Sequence, residues 1–309
     1  KQIASIKKST PHYDVPMVSG VAEAALFVNP KSNGTHGTAL DYKKGKARDL
    51  PIHKRGNPNV TGKTVSRRFL GAFPVKADSP RGFERGSGRL DLAEAIVEEA
   101  TPLSARVIVN RVWQHHFGRG IVRSSNNFGY IGEEPTHPEL LTWLAAELME
   151  GGWTLKRMHK LIMMSRTYQM SSAGNATGLK VDPNNDLFWR FNMRRLAAEE
   201  ILDSILNLTG QLNLKMAGPS IYTEIPPDVA KTASRPGGAW GRSSKEDAAR
   251  RSVYIFVKRS LHEPFLASFD WADTDNTCDV RFVTTVPTQT LTMINSKFLN
   301  DAAETLAKR

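Results

Sequence analysis

The sequence predicts a mainly α-helical fold, an antiparallel helical cluster with a smaller strand- and loop-rich N-terminal part. Three observations predict it. From Arg89 onward apolar residues recur at helical spacing, and Gly or Pro pairs leave only short connections between most periodic segments. Residues 1–88 instead show short apolar runs separated by Gly, Pro and Asn. With 40% hydrophobic and 24% charged residues, the 309-residue chain has the composition of an ordinary globular protein.

The elements follow in order. Ala24 to Val28 is an apolar run of strand length. Pro74, Pro80, Gly82, Gly86 and Gly88 form a linker-like stretch, so a boundary is placed near residue 88, dividing the chain into 1–88, the end of a preceding domain, and 89–309. Leu90, Leu92, Ala93, Ile96 and Val97 begin the helical pattern. The clearest helix runs from Ser104 to Phe117, where Ala105, Ile108, Val109, Val112, Trp113, His116 and Phe117 make one apolar stripe and Gly118 and Gly120 supply the stop. Thr136 and Glu139 have capping-box spacing around Pro138, opening a helix whose apolar face is Leu140, Leu141, Leu144, Ala145 and Leu148. A third helix follows Thr154, with Met158, His159, Ile162 and Met163 on one side and Leu161 and Met164 widening the arc. Further helices are expected over Arg195 to Leu212 and Pro287 to Lys308, with an irregular section at Gly218 to Gly241 and a buried strand at Val253 to Val257. No internal repeat is present.

Charge is regional. Residues 1–68 hold 13 Lys and Arg against 4 Asp and Glu, a net +9, and the other 241 residues carry +2. Lys43, Lys44, Lys46, Arg48, Lys54, Arg55, Lys63, Arg67 and Arg68 could attract a polyanion, or form a solvated face towards an acidic neighbour. No stretch approaches the ~18–20 apolar residues of a membrane span. Cys278 is the single cysteine, which excludes an internal disulfide, a Cys-rich zinc cluster and the C-x-x-C-H attachment of a c-type haem. The first residue is Lys1, so a targeting peptide is expected to have been removed or to lie outside the segment.

Candidate chemistry is sparse. His115 and His116 point about 100° apart on one helix, which disfavours joint ligation; His116 reads as a hydrogen-bonded core histidine, and His115 can stack beside Arg111. Glu133, Glu134 and His137 could form an acid/base pair at a helix start, or cap that helix. Asp270, Asp273, Asp275 and Asp279, with Asn276, offer the oxygen density that calcium requires but lack an EF-hand pattern; otherwise they cap turns around Trp271. Asn110, Arg111, Arg119, Arg123, Asn126 and Asn127, beside Trp113 and Tyr130, supply forked donors for a glycan or carboxylate, or bind the Gly-rich loop to neighbouring helices. Serine-hydrolase elbow, P-loop and dinucleotide fingerprints are absent.

The run Ala105–Gly120 (ARVIVNRVWQHHFGRG) resembles the signature of the planctomycete PSD-one domain family. Asn127–Gly129, Thr136–Leu141, Gly152–Trp153, Ser165–Tyr168, Arg195–Ile201, Gly218–Ser220, Lys258–Ser260 and Thr284–Gln289 follow in that family's order, with His53–Pro58 upstream, so the resemblance spans roughly residues 50–300. It implies the C-terminal portion of a large exported protein in a periplasmic or envelope setting, near electron transfer or polysaccharide breakdown. Haem is implied only for a cytochrome c-like module outside this chain. It implies no established active site.

Three functions are therefore expected in turn. The first is an auxiliary domain for assembly or ligand binding beside that module, with other domains or chains of the same protein, or an anionic glycan, as partners. The second is a polysaccharide-active enzyme using Asp270 and Asp273, or Glu133, Glu134 and His137. The third is polyanion binding through residues 43–68, with nucleic acid disfavoured because no recognised module accompanies the charge.

Overall fold

The computed structural model describes residues 5, 6, 9, 20–30, 38–76, 79–231 and 240–309. The chain forms two compact units, Lys1–Ala105 and Arg106–Arg309. It is mainly α-helical, and among the described residues its strands lie in the first unit.

In that unit β1 (Ala24–Pro30) pairs antiparallel with β2 (Thr38–Lys44), placing Leu26 opposite Tyr42. β3 (Leu50–His53) pairs with β4 (Thr61–Val65) through a register irregularity between Pro51 and His53, and β5 (Pro74–Lys76) with β6 (Ser79–Pro80). Each ladder is only two strands wide, a form with little independent stability. Helix α1 (Arg89–Glu98) supplies Ala95 to a small cluster with Phe69 and Ala100. Asp91 is buried and accepts the amides of Glu84 and Arg85, at 2.9 and 2.8 Å. Before the helix, Gly88 has φ of 86°, and a Cβ there would meet Phe83 at 2.7 Å, so only glycine suits the turn.

The main core joins α2 (Thr101–Phe117), α3 (Pro138–Glu150) and α4 (Leu155–Met163). Val109, Val112, Trp113 and Phe117 of α2 pack with Leu141, Leu144 and Leu148 of α3 and with Met158 and Ile162 of α4. These are the stripes that helical periodicity picks out, and burying each large side chain contributes roughly 1.5–3 kcal/mol. Short helix α5 (Ala176–Val181) follows. A second cluster gathers Leu202 and Leu206 of α6 (Ala198–Leu208), Ile221, Ile255, and Phe265 and Leu266 further on. The chain continues through α7 (Pro227–Lys231), α8 (Lys245–Ala248), α9 (Pro264–Ser268), α10 (Pro287–Asn295) and α11 (Lys297–Ala307).

Several expected details are corrected. Val253–Val257 is not a strand: Ser252–Tyr254 form a 3-10 turn, Ile255 makes one isolated bridge to Ile221, and Val253 and Val257 are exposed. At the start of that turn Asp203 accepts the Ser252 amide at 2.7 Å, and the buried Arg250 guanidinium holds the 215–219 segment by donating to the carbonyls of Lys215, Ala217 and Pro219, at 3.1, 2.5 and 3.2 Å. The helix expected over Arg195–Leu212 is shorter, because Glu200 accepts the Ala197 amide at 2.7 Å and starts it at Ala198. The closing helix is two helices, broken at Ser296, whose hydroxyl caps α11 by accepting from Leu299 at 3.4 Å. Thr136 and Glu139 form no capping box; His137 is the N-cap of α3 without a side-chain bond, and Thr136 Oγ1 donates instead to the Ile121 carbonyl at 3.3 Å. Thr154 caps α4 with no side-chain bond either. Within the irregular section 218–241, residues 232–239 lie outside the described residues.

Candidate functional site

Beside their core-facing positions, helices α3 and α4 each carry an adjoining arc that runs from the edge of the core, at Leu144, Leu140 and Leu161, out to the surface. Leu140, Trp143 and Leu144 on α3, and Arg157, Lys160, Leu161 and Met164 on and just after α4, recur at i, i+3, i+4 and i+7 spacing and therefore share a face. Together with Trp113, Ile162, Ser165 and Thr167 they line a groove of about 560 Å³, a size typical of small-molecule sites. Trp143 is 48% exposed and Met164 68%, so the apolar surface is uncovered. Trp113 stacks on Phe117 with ring centroids 4.2 Å apart and meets Phe188 edge-on at 5.3 Å, which holds the groove wall rigid. Nearest the connecting turn, Arg157 donates to the Glu147 carboxylate and to the Glu147 carbonyl, the latter at 2.7 Å, fastening the two helices.

His116 of α2 and His159 of α4 join these two helices through a 2.8 Å contact between Nε2 and Nδ1. Tyr168 packs edge-on against His116 at 5.4 Å. Burial, followed by the charges of His159, Arg194 and His115, lowers the His116 pKa below that of a free histidine. The pair is a hydrogen bond across a helix interface, and among the described residues no group of three or more His, Cys, Asp or Glu is arranged to hold a metal ion.

Of the forked donors flanking α2, Asn110, Arg119, Arg123 and Asn127 are bound to the protein itself. Asn110 is fully buried and clamps Val122, accepting its amide at 2.8 Å and donating to its carbonyl at 2.9 Å. Arg119 pairs with Asp186 at 3.0 Å and donates to the Asn185 carbonyl, and Arg123 also pairs with Asp186. Asn127 accepts the Gly129 amide at 3.0 Å. Arg111 is exposed on α2, and Trp113 enters the groove wall.

The carboxylate candidates separate in the same way. Asp270, in the left-handed region at φ 61°, accepts from Arg195 at 2.5 Å, from the Thr284 amide at 2.8 Å and from the Thr284 hydroxyl at 2.9 Å. Burial pushes its pKa up, but these donors outweigh it and hold the carboxyl below the ordinary aspartate value. Asp273 accepts the Asp275 amide at 2.9 Å and the Asn276 side chain at 2.8 Å, which lower its pKa as well. Asp275 pairs with Arg259, and Asp279 is exposed while its carbonyl accepts from Gln114 at 3.2 Å. Glu133 and Glu134 are exposed on the loop before α3, and His137 contacts Thr136 at 3.0 Å. In the first unit Lys43 and Arg48 lie over the Phe27 ring at 4.9 and 4.3 Å, Arg67 pairs with Asp49 at 2.8 Å, and Lys44, Lys46, Lys54, Arg55 and Arg68 are exposed.

A family model described as PSD1, Protein of unknown function (DUF1553), matches residues 88–309. The chain belongs to this family. The PSD1 region thus contains α1 to α11, the groove and the histidine pair. No curated protein and no solved structure matches the chain. No helix among the described residues of the PSD1 protein is long and apolar enough to cross a membrane.

Sequence reasoning placed Trp113, Leu140, Leu144, Leu161 and Met164 on apolar faces but missed Trp143 and the groove. The signal was an apolar arc on α3 and α4 wider than a single core-facing stripe. The His116–His159 pair was equally invisible, because it joins residues 43 positions apart.

Proposed function

We propose that the PSD1 region is a non-catalytic binding domain of a larger exported bacterial protein, working beside a cytochrome c-like module, and that the groove between α3 and α4 is its binding surface. The observation that carries this reading is the groove itself: 560 Å³, walled by Trp113, Leu140, Trp143, Leu144, Leu161, Ile162 and Met164, with no carboxylate in its lining. Uncovered apolar surface on well-packed helices is the feature that marks partner and ligand sites. The alternative of polysaccharide hydrolysis needs two carboxylates flanking one cleft, one of them able to hold a proton. The donors around Asp270 and Asp273 hold both carboxyls below the ordinary aspartate value, which argues against either of these two as the proton-holding acid.

The test is a titration with straight-chain alcohols, followed by intrinsic tryptophan fluorescence. Each methylene entering the groove adds about 0.8 kcal/mol, roughly fourfold in affinity, until the groove is filled. Trp143→Ala weakens binding at every chain length, and because the side chain is half buried the comparison is made at a temperature where both proteins are folded. Binding independent of chain length, or unaffected by the substitution, defeats the proposal, as does hydrolysis of a polysaccharide by the purified chain.

A further inference from the structure

The groove has a polarity that a wholly apolar occupant leaves unused. Two cations, Arg157 and Lys160, and two hydroxyls, Ser165 and Thr167, stand among its lining residues, and no acidic side chain does. The cations differ. Arg157 is already matched by Glu147, which lies outside the lining, whereas Lys160 is exposed and has no carboxylate partner among the described residues. Lys160 shares the α4 face with Leu161 and Met164, so an ammonium group borders continuous apolar surface, and its own methylene stem extends that surface.

We infer that the groove takes a single-chain anionic amphiphile, a free fatty carboxylate, with its chain against Trp113, Trp143, Leu144 and Leu161 and its head at Lys160. This rests on the groove being the binding surface and adds the class of ligand. The physical discriminator is the head group. An alcohol leaves water for an apolar groove more readily than a carboxylate of equal chain length, because the charge carries a large desolvation cost. A carboxylate can therefore win only where a cation receives it.

The experiment measures binding of 1-octanol, octanoate and octylammonium to the full chain at low salt, using tryptophan fluorescence and calorimetry, for wild type and Lys160→Met. The substitution keeps an unbranched chain of similar length at an exposed position, so folding is checked simply by an unchanged unfolding temperature. Octanoate is expected to bind at least about threefold tighter than octanol, with octylammonium weakest. In Lys160→Met octanoate no longer binds tighter than octanol, and in wild type added salt weakens octanoate alone. Octanoate binding no tighter than octanol, or a preference that survives Lys160→Met, overturns the anionic ligand while leaving the groove as the binding surface. Failure of all three probes to bind overturns both readings, and self-association in place of ligand binding assigns the groove to a second copy and overturns the amphiphile.

Discussion

Asn110 is 0% exposed in the middle of α2, where a polar amide is costly unless every bond is made. It makes one bond as donor and one as acceptor, both with Val122, whose amide and carbonyl would otherwise be unpaired beside Ile121, itself fully buried. One side chain thus returns the chain to α2 after the Gly118–Gly120 turn. The approach is close enough that a Cβ on Gly120 would stand 2.5 Å from the Val122 carbonyl and 2.6 Å from the Asn110 amide nitrogen, which accounts for glycine there. Asn110→Ala is expected to destabilise the protein by about 2–4 kcal/mol in urea unfolding, because two backbone groups lose their partner in the core. Gly120→Ala is expected to be destabilising through the same contact. An Asn110→Ala protein whose unfolding free energy stays within about 0.5 kcal/mol of wild type, less than a single net hydrogen bond contributes, would show that the clamp is not what holds this turn.

At the scale of elements, the second half of the chain depends on a polar junction. Arg195 precedes α6, Asp270 follows α9, and Thr284 and Gln289 bracket the start of α10; Arg195 donates to Asp270 and to the Thr284 carbonyl, and Gln289 donates to the Thr284 hydroxyl at 3.1 Å. Three elements are thereby tied at one carboxylate. Asp270→Asn tests the charge without disturbing the backbone, since Asn also tolerates the left-handed region. The expected loss is about 2–3 kcal/mol at neutral pH, the range for hydrogen bonds to charged groups. The pH dependence follows from the lowered folded-state pKa: wild-type stability from Asp270 is complete above the ordinary aspartate value of 3.8 and is lost as pH falls through the lower folded value. The Asn variant lacks that acid-limb contribution, so denaturation midpoints of the two proteins should converge with acidification; parallel curves would remove Asp270 from the account. Much of this architecture was legible beforehand. The stripe of α2 and the faces of α3 and α4 follow directly from spacing, because a helix brings i, i+3 and i+4 together whatever surrounds it. Val253–Val257 misled because β-branched and aromatic residues signal a strand only where a partner strand exists, and here Ile255 makes an isolated bridge to Ile221 while Ser252–Tyr254 close a 3-10 turn. Ser296 was legible in principle as an N-cap, but a continuous apolar pattern on both sides concealed the break.

At the scale of the whole molecule, what sequence could not show is which surfaces remain uncovered. Periodicity marks Leu140 and Leu144 as core, which they are, but only the tertiary arrangement shows that Trp143 beside them stays half exposed at a groove, whereas regional charge is legible at once because it requires no fold. Basic side chains of residues 43–68 are largely exposed, and of the paired ones Arg67 is matched by a single carboxylate. Such a face binds polyanions by releasing counterions, with log affinity falling linearly in log salt, and it needs no shaped site to do so. A built glycan site would add directed hydrogen bonds that survive salt. Lys44, Lys46, Lys54, Arg55 and Arg68 are exposed side chains, so the expected behaviour is electrostatic. The chain should be retained on heparin and on a sulfonate resin alike, and Lys43→Glu, Lys44→Glu and Lys46→Glu combined should lower the eluting salt on both by the same proportion. Retention on heparin that exceeds the sulfonate resin and persists above roughly 1 M salt, where the screening length is about 3 Å, would mean that this face recognises a glycan by more than its charge.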